Sequence, residues 1–387
     1  MADIWEKYAN VLVDYSTKVQ KDDLVVIRAT SPDAILLVKA IYKKVLQKGA
    51  HPVLRTSICD MSDIFIKYAN DEQLDYVDPM SKLEYEKVNK YISIGAPQNV
   101  KNMARADKTK MARRSKATRE LSELLLSRSA KGEASWVIAD VPTNALAQEA
   151  KMSFDEYSEF LFNACFLNLD NPVERLQKME EEQKRYCEYL DKVKKIRIVG
   201  EKTDITFSTE GRKWISCSGL NNYPDGEVFT SPVEDSANGE IYFDFPAIYR
   251  GNEAHKIHLK LENGKVVEAK AEKGEEFLNA MLDMDEGSRL VGEIAIGTNE
   301  MIQDVTGNIL FDEKIGGSIH MAVGASYPET GGKNASGLHW DIIKNMKGVN
   351  VGVNAGVNAE VNAGANTEGG KIYADDVLIY ENGKFLI

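Results

Sequence analysis

From Leu24 to Ile58 the chain runs strand, helix, strand, and that order leaves few folds open. The Leu24-Val25-Val26-Ile27 run is uniformly apolar, as in a strand buried on both faces. Ser31 and Asp33 are capping residues for the helical AILLVKAIYKKVLQKG, and Gly49 is placed to end it. HPVLRTSI reads as a second strand directly after. A βαβ unit of this length favours a parallel sheet. Apolar runs at Tyr91–Gly95 and Trp136–Asp140 extend the sheet. Ile4, Trp5, Tyr8, Val11, Leu12 and Tyr15 have helical spacing and predict a helix over residues 4–19. One long helix is expected over residues 99–126. Its stretch from Lys101 to Arg119 holds eight Lys or Arg against one Asp. A nucleic-acid contact and a solvated or subunit-facing helix both fit such a run. The missing aromatic interleaving favours the second.

The pattern changes near residue 195. Residues 154–195 read as helical and rich in exposed ion pairs. From 196 to 262 come short alternating segments, KIRIVG, DITFST, EIYFDF and KIHLKL, punctuated by Gly, Asn and Asp. The expected organisation is therefore an α/β domain with a parallel sheet over 1–195 and a β-rich α+β domain over 196–387. His255 and His258 fall on a hairpin arm that turns at Asn263-Gly264. Three apart on a strand, they point to opposite faces and read as structural, as does His51. Residues 348–367 form five near-repeats of four residues, GVNV to GANT, read as a low-complexity insertion with no catalytic role. The chain closes on a hairpin with Asn382-Gly383 at its turn.

A chain of 387 residues exceeds one comfortable domain. Its net charge of -12 speaks against a nucleic acid or an anionic membrane as partner. Cys59, Cys165, Cys187 and Cys217 lack metal-ligand spacing and are expected to stay reduced. The N-terminus has neither the basic nor the apolar region of a signal peptide, and no apolar run reaches the roughly 20 residues that span a bilayer. These features predict a cytoplasmic enzyme. No GxGxxG or GxxxxGK[ST] follows a strand, and no GxSxG is present, so nucleotide binding and a serine nucleophile lose their support.

The chemistry concentrates between Glu293 and Asp341. Two of the five histidines, His320 and His339, lie there with Glu293, Glu313 and Asp341, all among small or apolar residues. Imidazoles and carboxylates in such surroundings are the makings of a buried metal site, here read as that of a hydrolase. His339 and Asp341, two apart, share one face of a strand while Trp340 packs behind. Alternation sets Glu293 on a face with Val291 and Ala295. A carboxylate isolated there must meet a cation, a donor cluster or a proton. His320 is flanked by small residues that leave room beside it; a neutral imidazole bonded to backbone is the alternative. Glu227 follows the Asp225-Gly226 turn and by itself reads as a surface turn residue.

GEVFTSPVEDSANG, LVGEIAIGTN, IHMAVGASYPETGGKNASGLHWD and ENGKFLI, with the opening KDDLVVIRATSPDAILLVKAIYKKVLQKGAHPV, resemble the aminopeptidase T family (metallopeptidase family 29). The resemblance spans nearly the whole chain, although the GVNA stretch departs from it. It implies a β-rich domain carrying a dinuclear site, with Glu227, Glu293, His320, His339 and Asp341 as metal ligands. Glu313 matches a carboxylate that is either a ligand or a proton shuttle, and Tyr327 an active-site tyrosine. It also implies a homodimer that hydrolyses N-terminal residues from short peptides with a two-metal-activated water. Zn, Co and Mn suit such N/O ligands, and Mg is allowed. The rival expectation is a metal-bound, non-catalytic peptide-binding protein of the same fold.

Overall fold

The computed structural model describes residues 2–249, 251–348 and 369–387; the GVNA repeats lie outside them from residue 349 onward. The chain divides into two compact units, Met1–Leu176 with Gly219–Pro224, and Gln177–Ser218 with Asp225–Ile387.

The first unit is built on the expected parallel sheet. Its strands stand in the order His51–Thr56, Leu24–Ala29, Lys90–Gly95, Ser135–Asp140 and Asn222–Tyr223. The last was not expected, because residues 196–262 read as antiparallel throughout. Two residues carry no periodicity, and only their pairing with Ile138 and Ala139 makes them a strand. Ser31 alone caps the helical entry, its Oγ accepting the Asp33 amide at 3.2 Å. The helix Ile35–Gln47 ends before Gly49, whose φ of +72° suits glycine. The opening helix is regular only over Ala2–Asn10 and continues as a wider π-type turn over Val11–Ser16. That turn carries Val11, Leu12 and Val13 into the core together.

The basic helix begins later than expected and spans Lys108–Ala130. Asp107 sets the start by accepting the Thr109 and Lys110 amides at 2.9 and 3.1 Å. Three of its cations are held inside the unit. Arg113 pairs with Asp71 and Asp75 at 2.5 and 2.7 Å. Arg114 donates to the Leu74 and Tyr76 carbonyls, and Lys110 to that of Ala69. The helical stretch 154–195 is two helices, Phe154–Ala164 and Pro172–Leu190.

Besides a two-stranded ribbon of Ala247–Tyr249 and Asn252–Ala254, the second unit holds two larger antiparallel sheets. One has eight strands in the order Lys265–Lys270, Ile257–Glu262, Asn238–Phe243, Thr203–Ser208, Lys195–Gly200, Lys371–Ala374, Val377–Glu381 and Lys384–Phe385. The other orders His339–Asn345, Ser318–Gly324, Val291–Gly297, Glu227–Thr230 and Ile215–Cys217. One apolar core joins them: Ile198, Ile205, Ile241 and Leu259 from the first sheet meet Ile294, Ile319, Met321 and Trp340 from the second. His255 and His258 pair with Glu253 and Glu240 at 3.1 and 3.2 Å, half-buried and structural. His51 is exposed, 4.0 Å from Asp22.

Candidate metal centre

The five-stranded sheet has one face for the core and one for chemistry. Along Ser318–Gly324, Ile319, Met321 and Val323 enter the core, so His320, Ala322 and Gly324 turn the other way. Register then gathers the remaining groups. Glu293 and Asp341 lie on either side of Ala322, His339 beside Gly324, His320 beside Ala295, and Glu227 beside Gly297. Each reactive side chain thus has Ala or Gly as a cross-strand neighbour, which keeps the space above them clear. Gly324 is obligatory: at φ +103°, a Cβ there would lie 2.1 Å from the Leu338 carbonyl oxygen.

Simple alternation is broken at Gly292. The register shifts between Val291 and Glu293, so Val291 pairs with Val323 and enters the core instead of sharing a face with Glu293. A bulge re-aims the next side chain in this way. A Cβ on Gly292 would lie 2.1 Å from the Ala325 carbonyl oxygen.

Glu293 lies between the two imidazoles. Its Oε1 is 3.5 Å from His320 Nε2 and its Oε2 is 3.2 Å from His339 Nε2. His320 Nε2 also faces Glu227 Oε2 at 3.4 Å and Asp341 Oδ1 at 3.9 Å, while His339 Nε2 is 3.5 Å from Asp341 Oδ1. The other ring nitrogens are anchored on backbone: His320 Nδ1 is 3.1 Å from the Glu313 carbonyl, and His339 Nδ1 is 2.9 Å from that of Ala325. An Nδ1–H that donates to a carbonyl directs Nε2 and its lone pair at the carboxylates. Lone pair against carboxylate is repulsive, so each Nε2 needs a proton or a cation.

By itself the protein uses protons. Burial opposes the His320 imidazolium, but the bond to Glu293 and the Glu227 charge outweigh it and raise the group to about 9. His339 is pushed up to about 12 against burial, by Asp341 and Glu293. Burial raises Glu227 to about 8 despite Lys314 and His320. Asp341 is held well below the carboxylate range because the imidazoles outweigh its burial. Among the described residues, buried Glu227 Oε2 and Asp341 Oδ1 accept no hydrogen bond. Unsatisfied buried oxygens beside anchored imidazoles fit a divalent cation. Four overlapping groups offer ligand atoms within 4.8 Å of one another: Glu227, Glu293 and His320; Glu293, His339 and Asp341; Glu313, His320 and Asp341; and Cys217, Asp225 and Glu227, which brings in a cysteine that its spacing in the sequence did not mark.

The structure therefore gathers Glu227, Glu293, Glu313, His320, His339 and Asp341 at one place. Glu227 is 5% exposed, so it is no surface turn residue; pairing with Gly297 draws it under the sheet face. Trp340 packs behind the His339–Asp341 pair, its ring 5.4 Å from that of Phe277. Tyr327 stands at the rim, its ring 5.0 Å from that of His339 and 5.2 Å from that of Phe229. Burial and then the nearby carboxylates raise its phenol well above the usual range, so the O–H is retained.

Lys314 was missed. Only 1% exposed, its Nζ is 2.5 Å from Glu227 Oε1, 2.7 Å from Glu313 Oε1 and 3.7 Å from Asp225 Oδ1. The one hint in the sequence is a lysine directly after Glu313 in an otherwise small and apolar run.

A sheet face that buries histidines among carboxylates is the equipment of a metal-dependent hydrolase. The family model of the thermophilic metalloproteases (M29) matches residues 2–385, and the chain belongs to that family, the family of aminopeptidase T. Aminopeptidase 2 of Geobacillus stearothermophilus is 26% identical over 371 residues, covering 89% of this chain and 88% of the relative. Aminopeptidase AmpS of Bacillus subtilis is 25% identical, covering 89% and 93%. Aminopeptidase T of Thermus thermophilus is 36% identical over 110 residues, 28% of this chain and 27% of the relative. The fold matches the solved structure of wild-type AmpT from Thermus thermophilus with a TM-score of 0.81 over 99% of each chain, at 21% identity. The chain is a metallo-aminopeptidase.

Proposed function

We propose that this enzyme releases N-terminal residues from short peptides with two divalent ions bound on the sheet face. The observation that carries the reading is the convergence of both Nε2 atoms on carboxylates, two of whose buried oxygens have no hydrogen-bond partner among the described residues. Glu293, His339 and Asp341 would hold one ion, and Glu293, His320, Glu227 and Glu313 the second. Zn, Co, Mn and Mg all suit these donors. When bound, such ions lower the pKa of water and polarise the scissile carbonyl.

The chain's own groups supply the rest. The carboxylate cluster attracts the substrate's free α-ammonium, which favours cleavage at the N-terminus. The Tyr327 O–H donates to the carbonyl oxygen as negative charge develops on it. Glu313, in the alternative to ligating, takes the proton from the attacking water and passes it to the leaving amine. The small residues of the floor and the burial of the ligands keep bulk water out. An enclosed site, as the family resemblance implies, would favour short, unfolded peptides. The described cysteines are all free, which supports a cytoplasmic setting. Exposed Ile35, Leu46 and Leu54 support a homodimer.

The test is hydrolysis of aminoacyl chromogenic substrates by chelator-stripped protein after return of Zn, Co, Mn or Mg, with Glu293→Gln alongside. Release restored by metal, absent in the variant and absent for N-acetylated substrates is the expected outcome. Release from N-acetylated substrates at equal rate would defeat N-terminal recognition. One ion per chain at full activity would defeat the dinuclear reading.

A further inference from the structure

Lys314 is a full positive charge buried among the very carboxylates that the second ion would need. Its ammonium takes one oxygen each from Glu227 and Glu313 and lies 3.7 Å from Asp225. Among the described residues it forms no contact ion pair with Glu293 or Asp341, and its charge acts on Asp341 only from a distance. The two halves of the centre are therefore electrostatically unequal. A cation on Glu293, His339 and Asp341 meets ligands that no ammonium shares. A cation on Glu227 and Glu313 must share both with Lys314 and bear like-charge repulsion in a low-dielectric site. The ammonium also partners those carboxyl groups when no metal is bound, and so removes part of the desolvation strain that binding would otherwise relieve.

We propose that Lys314 is a built-in competitor of the second cation, so that the centre fills in two well-separated steps. The ion on the His339 side is held tightly. The ion on the Glu227–Glu313 side is weak and exchangeable, which ties full occupancy to the free metal level. This inference rests on the dinuclear reading above.

The test is calorimetric titration of metal-free wild type, Lys314→Met and Lys314→Gln with Zn²⁺ and with Mn²⁺, and elemental analysis after gel filtration. Wild type is expected to bind two ions with dissociation constants at least tenfold apart. In both variants the weaker constant should tighten at least tenfold, while the tighter one moves less than threefold. Lys314→Gln keeps a polar donor beside Glu227 and guards against collapse of the Met variant. Should the metal-free variants fail to fold, chelator competition from the metal-loaded proteins reads the same constants. A weaker site that is unchanged or weakened in both variants overturns the proposal, because Lys314 would then be orienting its ligands. One ion in all three proteins at saturating metal overturns the dinuclear reading and this inference with it.

Discussion

Replacing Glu293 by Gln removes the carboxylate that sets one oxygen against each imidazole. Groups that only support a metal ligand are worth about 10–100-fold in activity or affinity, so this ligand change should cost at least about 100-fold in peptide hydrolysis. Tyr327→Phe keeps the ring against His339 and Phe229 and loses only the O–H. It should lower kcat by about 10²–10³-fold with little change in KM, as loss of a transition-state donor does. A third prediction follows from the protons on the histidines. In the metal-free chain His320 is raised from 6.5 to about 9. A group that binds its proton more tightly when folded contributes stability in full below its unfolded value and loses it as pH rises through the folded one. In chelator the melting temperature should therefore fall between pH 6.5 and 9. Affinity for Zn²⁺ should rise over the same range as proton competition fades. A melting temperature that climbs over that window would contradict the ion-paired histidines. At this scale Glu293, His320, His339 and Asp341 stood out as candidate ligands because charge in an apolar strand has few explanations, whereas Glu227 entered only through the family resemblance. Lys314 was not, because a lysine next to a glutamate is ordinary on a surface, and only burial makes it otherwise.

At the level of the element, the strand Ser318–Gly324 separates stability from chemistry by alternate residues. Met321→Ala empties space in the core and should cost about 2–5 kcal/mol in urea unfolding, with metal content retained. Ala322→Leu on the opposite face fills the gap between Glu293 and Asp341. It should abolish metal binding while far-UV circular dichroism stays native. Equal metal loss in both variants would mean that the two faces are not independent. Alternation sufficed to pair His339 with Asp341 on one face and to set Trp340 behind them. It failed one strand away, where it put Val291 with Glu293. A bulge needs a partner strand against which to slip, and Gly292 in isolation does not announce one.

Across the whole molecule, the run of cations between Lys101 and Arg119 illustrates how composition misleads until partners are known. Arg113, Arg114 and Lys110 are occupied by Asp71, Asp75 and backbone carbonyls of the same unit. With a net charge of -12, the protein should show no saturable binding of a fluorescent single-stranded oligonucleotide at about 150 mM salt by anisotropy. The sequence by itself determined the parallel sheet, the change to antiparallel strands, and the run from Glu293 to Asp341 as the place where metal-ligating side chains concentrate. Those are local properties, carried by periodicity and side-chain chemistry. Only the tertiary structure decided that Asn222–Tyr223 joins the parallel sheet, that a bulge turns Glu293 toward both histidines, and that Lys314 lies among the acids. Each of these depends on pairing or packing between segments distant along the chain, where no local pattern records the partner.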